Sequence, residues 1–160
     1  MYKRILLASD SESLVALREG ALLAQSLGAA AFLLIVDGDS PGLKFADAVY
    51  PLPPRDLKPL QDLLALGLDR LAGLGVAAQG EVSAGEPTVV IAEAALAFGA
   101  DLIVVGHRRQ SLLERWWSGA SGAYLVDRVS CSVLIARPRS TAPAPGEARP
   151  GDIAEPSLAT

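Results

Sequence analysis

Three strand-like apolar runs in this chain end on acidic residues or glycine, and these ends are where its chemistry would sit. Ile5-Leu6-Leu7-Ala8 stops at Ser9-Asp10-Ser11, and Ala31-Phe32-Leu33-Leu34-Ile35-Val36 stops at Asp37-Gly38-Asp39. Asp101-Leu102-Ile103-Val104-Val105 ends in Gly106. Further on, Gly119-Ala120-Ser121-Gly122 opens a helical pattern. A helix start presents unpaired N–H groups that attract anions. The dense basic spot Arg108, Arg109 and Arg115 lies between; it reads as a solvated face or as a phosphate contact, since guanidinium groups make charge-assisted bonds to phosphate oxygens. A phosphate-bearing ligand suits this set. Asp37 and Asp39 could hold a magnesium ion bridging phosphates, although a plain polar loop explains the same residues. Asp10 suits a ligand contact or a helix cap, and the two roles are compatible.

Other chemistries find little support. His107 is the single histidine and Cys131 the single cysteine. Multi-histidine metal sites, paired-cysteine zinc sites and internal disulfides are therefore excluded. A Ser-His-Asp or Cys-His centre would need His107 as its base. No nucleophile-elbow or Walker A pattern accompanies it. The chain is read as a binding module rather than an enzyme.

The elements that must position these residues follow from periodicity. Leu14, Leu17, Ala21, Ala24 and Leu27 recur at helical spacing, with Gly28 placed to end the helix. Residues 37–54 read as a long loop. Leu57, Leu60, Leu64, Leu68 and Leu71 mark a second helix that tolerates Pro59 in its first turn. Val76–Val82 reads as a weaker strand. Pro87 opens a third helix with Ile91, Ala94, Ala95 and Phe98 on its buried face. Gly122, Leu125, Val126 and Val129 mark a last helix, and 132–136 a last strand. The order is βαβαβαβαβ. Continuously apolar strands are expected where helices cover both faces of a sheet. With right-handed crossovers this gives a single α/β domain built on a doubly wound, five-stranded parallel sheet. Ligands of such sheets bind beyond the strand carboxyl ends, where the strand order reverses.

These landmarks resemble the universal stress protein family over residues 1–137. The first strand ends in Asp10 and continues Ser-Glu-Ser, similar to the family's strand-Asp-x-Ser-Glu opening. Gly85-x-Pro87 precedes the third helix as in the family, and Asp101-Leu-Ile-Val-Val-Gly106 is close to its commonest strand. Cys131-Ser132-Val133-Leu134-Ile135 looks like its Cys-Pro-Val-Leu-Val ending. No single piece is specific, but together, in this order and spacing, they are strong. The resemblance implies a Rossmann-like or flavodoxin-like strand order of 3-2-1-4-5.

Nucleotide-binding members of the family carry Gly-x2-Gly-x9-Gly-Ser/Thr after the fourth strand. Here the first glycine is Gly106 and the third is Gly119. Arg109 stands at the second glycine and Ala120 at the hydroxyl position. Glycine lets a backbone N–H approach phosphate at positive φ, and another residue held there costs about 1–3 kcal/mol. Loss of the hydroxyl removes a hydrogen bond to a charged group, worth about 1.5–3 kcal/mol. Micromolar binding corresponds to about 8 kcal/mol, so these changes could move ATP affinity toward millimolar. Arg108, Arg109 and Ser121 are the candidates for compensation. By resemblance, AMP or ATP, the latter with Mg2+, would meet Asp10 at the ribose or base end. The Val36 backbone would meet the adenine edge. Gly106, Arg108, Arg109, Gly119, Ala120 and Ser121 would surround the phosphates.

Two functions remain open at this point, with slow ATP hydrolysis a third and less favoured one. One is a nucleotide sensor that passes its state to an unknown protein partner under stress. The other is a ligand-free dimeric scaffold, favoured by Arg109 and Ala120. In that case strand 132–136 lies at an open sheet edge, where another chain can pair. Family members typically dimerise there, and the resemblance implies the same homodimer here.

Composition sets the outer bounds. The chain has 160 residues, of which 51% are apolar, so one domain with its own core is expected. A net charge of −4 argues against a nucleic-acid partner. The longest charge-free apolar stretch, Gly20–Val36, falls short of the ~20 residues a membrane span needs. No signal peptide is read at the start, and a cytoplasmic location is expected. Trp116 and Trp117 either cover the last helix or anchor a partner. Residues 138–160 carry five of the eleven prolines and read as a disordered tail, either surplus or recognised by a partner.

Overall fold

The structure, a computed structural model, describes residues 1–10, 15–38, 56–106 and 125–137. In chain order these form β1 (Arg4–Asp10), α1 (Val15–Leu27), β2 (Ala30–Gly38), α2 (Lys58–Gly73) and β3 (Ala78–Gly85). They continue with α3 (Pro87–Phe98), β4 (Leu102–Gly106), the short α4 (Leu125–Arg128) and β5 (Ser132–Ala136). The sheet has five strands in the order β3-β2-β1-β4-β5, and every pairing is parallel. This is the doubly wound α/β architecture expected from the sequence.

Alternate residues of the central strands serve two separate cores. Ile5, Leu7, Leu33, Ile35, Leu102 and Val104 pack beneath α1 and α2. Leu6, Ala8, Leu34, Val36, Ile103 and Val105 pack beneath α3. Continuous apolar composition therefore holds for β1, β2 and β4, whose two faces are both covered. The edge strands differ, β3 in composition and β5 in burial. β3 reads Ala-Gln-Gly-Glu-Val-Ser-Ala-Gly, and β5 leaves Ser132 and Leu134 exposed.

Helix ends follow local chemistry. Pro87 stands at the first position of α3, where its missing N–H costs nothing. The Glu86 carboxylate accepts from Val89 N at 3.0 Å and caps that start. Gly99 closes α3 at φ 67°, a left-handed conformation that disfavours other residues.

Several boundaries differ from the sequence reading. β3 begins at Ala78 because Val76 N is used by Leu71 O, completing the exit of α2. β2 continues through Asp37 and Gly38, read as loop, because they pair with Ala84 and Gly85. β1 likewise runs through Ser9 and Asp10, which pair with Ile35 and Val36. The expected tail at 138–160 lies outside the described residues.

Candidate functional site

The sheet reverses direction between β1 and β4. From β1 the chain winds outward through β2 and β3, and from β4 it winds the other way to β5. In such sheets the crevice for a ligand opens beyond the carboxyl ends of those two strands. Their register places the candidate residues there. The last β1–β4 pair is Ala8 with Val105. Asp10 and Gly106 both lie beyond it and end their strands. Asp10 pairs with Val36 on its other side, so three of the nominated residues meet at one end of the sheet. Arg108, Arg109, Gly119, Ala120 and Ser121 lie outside the described residues, as do His107, Trp116 and Trp117.

This end of the sheet is both polar and buried. Asp10 is 4% exposed and Asp37 is 7% exposed. Ser9, which the sequence reading did not single out, is buried beside Asp10. Its hydroxyl is the buried side-chain polar atom without a hydrogen-bond partner among the described residues. Such an atom costs about 1–3 kcal/mol unless water or a ligand meets it. A sequence offers no signal for this, because serine at a strand end is ordinary. Among the described residues no three His, Cys, Asp or Glu side chains come together to hold a metal ion. Asp39, the partner considered for Asp37, is outside them.

The opposite end of the sheet sets the register. Asp101 precedes β4, and its carboxylate accepts from Lys3 N at 2.7 Å and Arg4 N at 3.1 Å. Cys131, just before β5, is half-buried. Burial pushes its thiol up, the nearby Asp101 carboxylate adds to this, and a backbone hydrogen bond opposes both. That environment suits an unreactive thiol.

The sequence profile of the universal stress protein family matches residues 1–137. The chain belongs to this family. A universal stress protein of Synechocystis, Sll1388, is 39% identical over 61 residues, covering 38% of this chain and 40% of that protein. Among solved structures, a universal stress protein in complex with cAMP superposes with a TM-score of 0.61 at 22% identity, covering 85% of this chain and 97% of that one. The Archaeoglobus fulgidus universal stress protein in complex with dAMP gives 0.58 at 19% identity, covering 84% and 98%. At these identities the superpositions speak for the fold, which the strand order shares. No described helix is long and apolar enough to cross a membrane.

Proposed function

We propose that this protein is a stress-response module that binds an adenine nucleotide weakly at the carboxyl ends of β1, β2 and β4. The observation that carries the reading is the convergence of Asp10, Val36 and Gly106 at the switch point of the sheet. The adenine nucleotides held by two structural relatives support it. Asp10 would take the ribose or base end, the Val36 backbone the adenine edge, and Gly106 would begin the phosphate loop. Arg108, Arg109, Gly119, Ala120 and Ser121 would complete that loop, with Mg2+ accompanying ATP. The module would act in the cytoplasm by passing its ligand state to a protein partner, without turnover of its own.

Calorimetric titration with AMP and ATP, with and without Mg2+, tests the reading. Saturable binding is expected. Replacing Asp10 with Ala should weaken it by about 1.5–3 kcal/mol, roughly 10- to 100-fold. No heat at millimolar nucleotide would overturn the reading.

A second reading rests on β5. Among the described residues this strand pairs only with β4, and Leu134 is 41% exposed. An edge of this kind suits pairing with a second copy through 132–136, as a homodimeric scaffold. Sedimentation as a monomer at micromolar concentration would overturn it.

A further inference from the structure

A groove of about 510 Å³ lies between α1 and α2. Its lining is aliphatic: Leu17 and Ala21 are buried, and Leu22 stays 43% exposed. Gly73 opens one wall, and a Cβ placed there would meet nothing within 4 Å. Two arginines flank the aliphatic lining. Arg70 stands in the last turn of α2 without an ion pair among the described residues. Arg18 is 67% exposed and only 3.9 Å from Glu19, too loose a contact to occupy its guanidinium. An apolar cleft between two cations fits a segment that joins aliphatic side chains to carboxylates.

The chain contains such a segment beyond its last described residue. Residues 138–149 carry Arg139, Glu147 and Arg149, with alanine as their only aliphatic residue type apart from proline. Residues 150–160 carry Asp152 and Glu155, no basic residue, and both Ile153 and Leu158. Unopposed negative charge and the large aliphatic residues are thus gathered in the last eleven positions. From Arg137 to Asp152 is fifteen residues, which reach about 50 Å when extended. A domain of this size has a radius of gyration of about 14 Å, so that reach exceeds the domain's diameter of about 36 Å.

We propose that residues 150–160 occupy the groove between α1 and α2, with Ile153 and Leu158 against its lining and Asp152 and Glu155 facing Arg18 and Arg70. The groove is then an internal docking site for an acidic, aliphatic segment. This proposal is independent of the nucleotide reading.

The full chain with Cys131→Ser and Ser157→Cys, bearing a nitroxide label at position 157, tests it by methyl NMR. Selective loss of the Leu22 and Leu74 methyl signals is expected, while Ile91 and Ile103 across the sheet keep theirs. Two variants should restore the lost signals: Gly73→Leu, which fills the groove, and the charge reversal Arg18→Glu with Arg70→Glu. Signals that persist in the labelled chain, or a loss indifferent to both variants, would overturn the proposal. So would a loss produced by labelled chains mixed with separately isotope-labelled ones, which would assign the groove to a second copy.

Discussion

Asp101 and Arg4 grip each other through both backbone and side chain: Arg4 N donates to the Asp101 carboxylate at 3.1 Å, and Asp101 N donates to Arg4 O at 3.0 Å. Lys3 N adds a third bond to the same carboxylate. This clamp fixes how β1 starts against β4. Because the register is carried along both strands, it also fixes how Asp10 and Gly106 finish.

Replacing Asp101 with Ala removes two charge-assisted acceptors and should lower stability by about 1–3 kcal/mol. The exposure of these bonds argues for the lower half of that range. Urea denaturation would read it as a lower midpoint at unchanged slope. An unchanged midpoint would show that strand pairing alone holds the register.

Two glycines should respond in opposite directions. A Cβ at Gly80 would run into the Leu33 carbonyl oxygen and the Leu64 side chain. The backbone oxygen cannot move aside without breaking the β2–β3 pairing, so Gly80→Ala should cost about 1–3 kcal/mol. Gly73 ends α2 in open space. There, Gly73→Ala should stabilise by about 0.5–1 kcal/mol through helix propensity alone. Thermal melts of the two variants, side by side, check both signs.

The Cys131 thiol should alkylate more slowly at pH 8 than free cysteine, since burial raises its pKa and the thiolate is the nucleophile. Unfolding in urea should bring the rate up to that of an unstructured peptide. The unfolded chain loses this proton first. The associated stability is therefore intact below the ordinary thiol pKa and declines as pH rises through it. Iodoacetamide labelling followed by mass spectrometry measures the rates.

Under the proposed function, giving this chain the family's second glycine and hydroxyl should tighten nucleotide binding. Arg109→Gly removes a residue that positive φ would strain, and Ala120→Ser returns a hydroxyl donor. The hydroxyl alone is worth about 1.5–3 kcal/mol, roughly 10- to 100-fold in Kd for AMP or ATP. Titration of the double variant against the parent chain reads the change. Weaker binding by the variant would mean that Arg109 itself holds phosphate.

Where a signal is local, the sequence carries it clearly. The runs ending at Asp10, Val36 and Gly106 identify β1, β2 and β4 because burial on both faces demands unbroken apolar composition. Pro87 marks the start of α3 because proline suits only a first turn. β3 starts two residues later than the apolar pattern suggests, since nothing in Val76-Ala77 tells of the Leu71 carbonyl that engages Val76. Asp101 and Ser9 were illegible for a similar reason. One acts on residues 97 and 98 positions earlier, and the other differs from any loop serine only by its burial.

The division of the interior by the sheet has a consequence for how the chain tolerates change. Ile5 and Leu7 share no core with Leu6 and Ala8, although they are neighbours in sequence. Substitutions more than about 7–10 Å apart and without common partners combine additively. Damage beneath α3 should therefore leave the α1–α2 layer nearly indifferent, and repair must come from the same side. Each layer can drift in sequence on its own account. A one-residue insertion within β1, by contrast, would exchange the two sets of side chains at a stroke.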